Sequence, residues 1–169
     1  MLTYRKTVMS GAEQPVEVKG WKLYAHPLFF EQVNALREEV KKLKQTQPAE
    51  WQNKAATKKL AAIYKLVFQV IPQNPYAHDY RLGKTLGPDY KNWFRAKFFQ
   101  QYRLFFRYDA QSGIIVYAWV NDENTLRSYG SKKDAYEVFK KMLNRGTPPA
   151  DWKSLIKESV GITEKNNLN

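Results

Sequence analysis

Apolar side chains recur along this chain with two periods, and the switch between them divides it. Phe29, Val33, Leu36, Val40 and Leu43 stand 4, 3, 4 and 3 residues apart, the interval that places side chains on one face of a helix. Arg37, Glu38, Lys41, Lys42 and Lys44 take the opposite, solvated face. Pro27 suits the first helical turn, and residues 45–48, ending in Pro48, break the pattern. Ala56, Leu60, Ile63, Val67 and Val70 repeat the spacing, so a second helix is predicted over about residues 49–71. Two such helices joined by a short break form a helical hairpin.

Period 2 takes over further along. Residues 93–98, 102–108 and 114–121 are three β-rich runs joined by short links, which predicts a meander of antiparallel strands. Residues 21–25 alternate in the same way and predict an earlier strand. Between hairpin and meander, residues 72–90 hold three prolines and two glycines and no period; loops of that length are often functional. Ser131 with Asp134 resembles a capping box for a helix over about residues 132–144, with Ala135, Val138, Phe139, Met142 and Leu143 inward and Gly146 as its stop. A short amphipathic segment, residues 151–160, closes the pattern. Residues 1–20 read as a polar N-terminal tail, 21–146 as the domain, and 147–169 as a C-terminal segment and tail. The order β-α-α-β-β-β-α predicts an α+β fold, with the helical hairpin packed on one face of a small, mostly antiparallel sheet.

Alternation also separates the faces of the meander. Phe94, Ala96, Phe98, Tyr102, Leu104, Phe106, Tyr108, Ile114, Val116, Ala118 and Val120 form an uncharged face suited to the hairpin. Trp93, Arg95, Lys97, Arg103, Phe105, Arg107, Ile115, Tyr117, Trp119 and Asn121 form the other. From Tyr90 to Tyr108 there are five cations (Lys91, Arg95, Lys97, Arg103, Arg107) and no acid. Guanidinium groups grip phosphate and aromatic rings stack on unpaired bases, so this face is expected to serve as a nucleic-acid platform. The competing reading is an ordinary solvated face with arginine stems lying over rings.

Composition narrows the class. The chain has 169 residues, 28 Lys plus Arg against 16 Asp plus Glu, a net charge of +12, and 15% aromatic residues. A chain so rich in rings folds, and one so basic favours a polyanionic partner. It has no cysteine, which excludes a disulfide framework and thiolate chemistry. No apolar run approaches the roughly 20 residues of a membrane span, and the first residues lack the apolar stretch of a signal peptide. No membrane partner is expected and a cytoplasmic location is.

Several runs then carry a resemblance. Gly20-Trp21-Lys22-Leu23-Tyr24 with His26-Pro27, Leu86-Gly87-Pro88 with Tyr90-Lys91, Trp93 to Phe99, Gln101 to Tyr108, Val116 to Glu123, Thr125-Leu126-Arg127 and Tyr129-Gly130-Ser131-Lys132 resemble YhaV-family toxins over about residues 20–152. The resemblance implies a RelE/ParE-type fold and the toxin of a type II toxin–antitoxin pair. It further implies an endoribonuclease acting on mRNA, free or on the ribosome, without metal or cofactor. A PrlF-like antitoxin is implied as partner, with operator DNA bound only through the complex.

In that mechanism the RNA's 2′-hydroxyl attacks the adjacent phosphorus, leaving a 2′,3′-cyclic phosphate and a 5′-hydroxyl. The resemblance gives Arg103 as a phosphate contact, Arg95 and Lys97 as basic partners, and Arg127, Tyr129 and Lys132 as the acid or leaving-group segment. Asp122 or Lys97 is the expected base, with the choice open. Lys91, Trp93, Phe105, Arg107, Trp119 and Asn121 are expected to bind RNA. Each has a structural alternative: a salt bridge from Arg127 to Asp122 or Glu123, a packing role for Tyr129, an Asx turn at Asn121-Asp122. Of the two histidines, His26 reads as the residue that opens a helix and His78 as a loop residue. A ParE-like gyrase inhibitor and a non-enzymatic nucleic-acid-binding module are the competing functions. Residues 72–90 and the C-terminal segment are the expected antitoxin contacts.

Overall fold

The computed structural model describes residues 14–164 and Asn166; of the N-terminal tail expected over residues 1–20, residues 1–13 lie outside them, as do residues 165 and 167–169 of the C-terminal one. The elements are β1 (Glu17–Val18), β2 (Trp21–Ala25), α1 (Pro27–Thr46), α2 (Ala55–Lys65), β3 (Phe94–Phe98), β4 (Tyr102–Asp109), β5 (Ile114–Val120), α3 (Ala135–Asn144), α4 (Trp152–Glu158) and β6 (Val160–Gly161). The fold is α+β. One sheet runs β1-β2-β5-β4-β3, with β6 beside β2; β2 and β5 are parallel and the other pairs antiparallel. No described helix is long and apolar enough to cross a membrane.

Helix starts follow from local chemistry. His26 caps α1, its Nδ1 accepting the Leu28 N–H at 3.2 Å while Nε2 meets Glu158 at 2.9 Å. A ring nitrogen that accepts here leaves the proton on the other nitrogen, so His26 is committed to structure. The second helix is shorter than its periodicity predicts. Trp51–Asn53 makes a separate 3-10 turn, α2 starts only after extended Lys54, and past Lys65 the helix widens into a π turn over Leu66–Val70. Pro72 then stops it. α3 begins at Ala135, with Asp134 itself as cap accepting the Tyr136 N–H, in place of the capping box expected from Ser131.

Two corrections concern layers. Helices cover both faces of the sheet, where one face was expected. The hairpin packs Phe29, Val33, Leu60, Ile63 and Val67 on one side, and α3 packs Tyr136, Phe139 and Leu143 on the other. The residues read as termini also join the sheet, since β1 and β6 both pair with the edge of β2 that β5 leaves open.

A bulge explains the remaining discrepancy. Phe105 pairs with Trp119 and Phe106 with Tyr117, so Ala118 is an extra residue in β5. Period-2 counting therefore inverts the strand before the bulge. Ile115 and Tyr117 lie on the hairpin face, and Val116 and Ala118 under α3.

Candidate active site

The N-terminal end of α3 meets the sheet where three arginines converge. Asp134, almost fully buried, accepts the Ser128 N–H at 2.6 Å and the Tyr136 N–H at 3.0 Å, and also a bond from Arg127 Nη1. This ties the segment after β5 to the first turn of α3. The Arg127 guanidinium lies 5.5 Å from the Tyr129 ring centre and 4.9 Å from that of Tyr136. Tyr129 is 93% exposed.

From the sheet, Arg95 on β3 and Arg103 on β4 reach the same tyrosine. Their Nε–H groups donate to Tyr136 Oη at 2.8 and 2.9 Å. Arg103, 6% exposed, also donates from Nη1 to the carbonyls of Gln100 and Tyr102 at 2.8 and 2.9 Å. Arg95 Nη1 donates to the carbonyls of Asp79 and Arg81 at 2.8 and 3.2 Å. Three guanidinium groups thus gather on one phenol at the positive end of a helix, and Asp134 is the carboxylate bound among them. The charge left over favours an anion there.

A concavity of about 520 Å³ opens over this cluster. Arg127, Tyr129, Lys132, Asp134, Tyr136, Glu137 and Thr85 are among its walls, Thr85 coming from the long loop before β3. An aromatic ring, a lysine and a guanidinium at one rim suit a base and its phosphate.

The family model described as "Toxin with endonuclease activity, of toxin-antitoxin system", Toxin_YhaV, matches residues 23–160. The chain belongs to the YhaV toxin family. It is 52% identical over 147 residues to "Ribonuclease toxin YhaV" of Escherichia coli strain K12, covering 86% of this chain and 96% of the relative. "Toxin YhaV" of Escherichia coli O6:H1 strain CFT073 and that of Escherichia coli O157:H7 match to the same extent. No solved structure matches at a significant level. The endonuclease activity of the YhaV family sets aside the gyrase-inhibitor and binding-only readings.

Within this YhaV-family chain the expected site residues separate into groups. Arg95, Arg103, Arg127, Tyr129 and Lys132 come together as described. Lys97 is exposed and pairs with Arg103 across the β3–β4 ladder, one alternation beyond Arg95. Lys91 is exposed just after a short turn over Pro88–Tyr90.

The aromatic platform is a correction. Trp93, Phe105 and Trp119 are buried beneath α3, with Phe105 stacked on Phe139 at 4.2 Å and Trp119 on Phe139 at 5.6 Å. An extended face with cations was read as open, but α3 needs that aromatic surface for its own apolar side. Arg107 is also set apart, against the segment that follows α3. It is buried between the rings of Trp93 and Trp152, at 5.5 and 5.7 Å, and donates to the Ala150 carbonyl. Burial pushes its pKa below the ordinary arginine value.

Asn121 and Asp122 serve the backbone. Asn121 is fully buried, its Oδ1 accepting the Arg103 N–H at 2.6 Å and its Nδ2 donating to the carbonyls of Gln101 and Thr125 at 3.0 and 2.8 Å. It has no side-chain atom left for RNA. Asp122 Oδ1 accepts from Asn124 N–H and Thr125 Oγ1, both at 2.9 Å, which is the Asx-turn alternative. Asp122 lines a different concavity of about 720 Å³, between the helical hairpin and the end of the sheet. There Lys59 is buried over the Tyr102 ring at 4.4 Å and donates to the Asn121 carbonyl at 3.0 Å. Tyr102 Oη donates to Glu123 at 3.0 Å. Arg127 pairs with Asp134, so the alternative of a bridge to Asp122 or Glu123 is not made.

Tyr136 and Glu137 were missed in the sequence. Both fall in the first turn of α3, where the apolar count ran through Ala135 and Val138 and passed over them. The signal lay in the cap: a residue two positions after a capping Asp stays at the helix mouth, facing whatever the mouth faces.

Proposed function

We propose that this chain cleaves mRNA by attack of the RNA's own 2′-hydroxyl, without a metal ion, and that its fold is RelE-like. The observation that carries the reading is the gathering of Arg95, Arg103 and Arg127 on Tyr136 beneath a concavity edged by exposed Tyr129 and Lys132. The relative from strain K12 is by name a ribonuclease, and the run β2-α1-α2-β3-β4-β5-α3 follows the order of the RelE fold.

The chemistry needs positive charge for the phosphorane and two proton transfers. Tyr129 stacks on a base and Arg127 with Lys132 meets the phosphate. Glu137 is the exposed carboxylate of the concavity, whereas Asp134 is consumed by Arg127 and the helix cap. Glu137 takes the 2′-hydroxyl proton as the 2′-oxygen bonds to phosphorus. The bond from phosphorus to the 5′-oxygen breaks, and the Lys132 ammonium supplies a proton to that oxygen. Lone Glu137 among cations suits proton transfer better than a two-metal site, which needs several carboxylates.

In the cell the substrate places the chain in the cytoplasm, and a PrlF-like antitoxin neutralises it and carries the complex to operator DNA. Residues 72–90 are its proposed contact, since Thr85 from this loop already forms one wall of the concavity. The test is end chemistry. Purified chain is incubated with mRNA in excess EDTA, with and without ribosomes, and the fragments are expected to carry 2′,3′-cyclic phosphate and 5′-hydroxyl ends. Cleavage abolished by EDTA, or 3′-hydroxyl ends, overturns the mechanism.

A further inference from the structure

We infer that the Tyr136 hydroxyl donates a hydrogen bond to a non-bridging oxygen of the scissile phosphate, and that Arg95 and Arg103 act through it. The inference rests on the reading of this concavity as the RNA-cleaving site.

A phenol oxygen has two lone pairs and one proton. Both lone pairs of Tyr136 are occupied, by the Nε–H groups of Arg95 and Arg103. Its proton has no acceptor among the described residues. The side chain is 7% exposed and yet forms part of the concavity wall, whereas neither Arg95 nor Arg103 does. Their Nε and Nη1 groups are committed to Tyr136 and to backbone carbonyls. Of these three side chains Tyr136 is thus the one that lines the concavity, and on the inferred geometry its unpartnered O–H, backed by two cations, meets an anion bound there.

That arrangement strengthens a donor. Hydrogen bonds received by an oxygen polarise its own O–H, and chains of such bonds reinforce each other in a partly dry site. The ring is also fixed. Phe105 meets it edge-on at 5.8 Å and Arg127 lies over it at 4.9 Å. A donor held in place before the reaction stabilises charge that develops in the transition state without reorganising. Tyr136 is on this account a catalytic contact, and Arg95 and Arg103 are positioning residues. Arg103 was expected to touch the phosphate itself; the structure assigns it a place behind the phenol.

The test uses RNA with one sulfur at either non-bridging position of the scissile phosphate. Wild-type protein is expected to cleave the two diastereomers at rates differing about tenfold, because sulfur accepts a hydrogen bond poorly. Tyr136→Phe is expected to lower kcat on all-oxygen RNA about 100-fold, with KM changed little, and to cleave both diastereomers at equal rates. Arg103→Lys is expected to lower kcat in the wild-type background and to add nothing in the Tyr136→Phe background. Should Tyr136→Phe not fold, 3-fluorotyrosine at position 136 keeps ring and hydroxyl but makes the O–H a stronger donor, and is expected to change the ratio of the two diastereomer rates. A folded Tyr136→Phe variant that retains the stereoselectivity, or a diastereomer ratio unchanged by fluorotyrosine, overturns the inference alone. A wild-type protein inert on RNA overturns the cleavage reading and the inference with it.

Discussion

The Arg127 guanidinium donates to the Asp134 carboxylate, and Asp134 is also the residue that caps α3. One buried side chain thus starts the helix, holds the segment after β5 through the Ser128 N–H, and fixes the arginine that opens to the concavity. Replacing it removes all three contacts. A cap is worth about 1 kcal/mol, and leaving one partner of a buried pair alone costs about 3–5 kcal/mol. Arg127 is partly exposed, so the second figure is discounted. Asp134→Ala is expected to lower stability by about 3 kcal/mol in urea unfolding, with RNA cleavage reduced in the fraction that stays folded. Asp134→Asn, which keeps an accepting oxygen for the cap, is expected to lose about half as much.

Tyr129 offers the opposite case, a large ring with almost no structural burden. It is 93% exposed, with the Arg127 guanidinium 5.5 Å from its ring centre. Tyr129→Ala is expected to leave the unfolding midpoint unchanged and to weaken RNA binding. Base stacking on an aromatic side chain is worth about 1–3 kcal/mol, so KM is expected to rise about 5-fold to 150-fold. Tyr129→Phe keeps the face and is expected to behave as wild type. An equal loss in both variants points to the hydroxyl in place of the ring.

How much of this was readable in advance depended on how local each determinant is. α1, the three strands of the meander and α3 are set by their own periodicity, and each stands within a few residues of its predicted place. The bulge at Ala118 was invisible because an extra residue in one strand leaves no mark in an unbroken apolar run. Its effect is large, since Tyr117 and Val116 exchange faces. The second helical layer was hidden for another reason. A face carrying Arg95, Arg103 and Arg107 looks solvated, yet each of these buries its stem and spends its head on carbonyls, on Tyr136 or on tryptophan rings. The site itself was half legible. Arg95, Arg103, Arg127, Tyr129 and Lys132 were named, but Tyr136, on which three of them meet, joins β3, β4 and α3 only in three dimensions.

The aromatic layer under α3 yields a prediction that separates packing from recognition. Phe105 is fully buried and stacks on Phe139, with Trp119 parallel to the same ring at 8°. Removing such a ring leaves a cavity as well as lost burial, at about 3–5 kcal/mol. Phe105→Ala is therefore expected to lower the unfolding free energy by that amount. Phe105→Leu, which keeps most of the volume, is expected to lose about 1–2 kcal/mol and to retain KM for RNA. A stable Phe105→Leu protein with strongly raised KM restores the ring to the RNA surface.

Two groups of the hairpin-side concavity tie stability to pH in the alkaline range. Tyr102 is pushed up to about 12 by burial first and by its hydrogen bond to Glu123 second, whereas an unfolded tyrosine titrates near 10. Between these values the folded chain holds a proton that the unfolded chain has lost, so stability falls as pH rises from about 10 to about 12. Lys59 works in the other direction. Burial lowers its pKa below 10.5, against the pull of Glu123 and Asp122. Below 10.5 the unfolded chain binds more protons there, so the Lys59 contribution improves as pH climbs to that value and then levels off. Tyr102→Phe is expected to make the decline above pH 10 shallower in urea midpoints measured across the alkaline range. Burial also raises Tyr64, Tyr80 and Tyr117, so part of the decline persists in that variant. Lys59→Met is expected to remove the gain below pH 10.5 and leave the decline intact. A decline unchanged by Tyr102→Phe places the alkaline weakness in the other buried tyrosines, Tyr117 foremost.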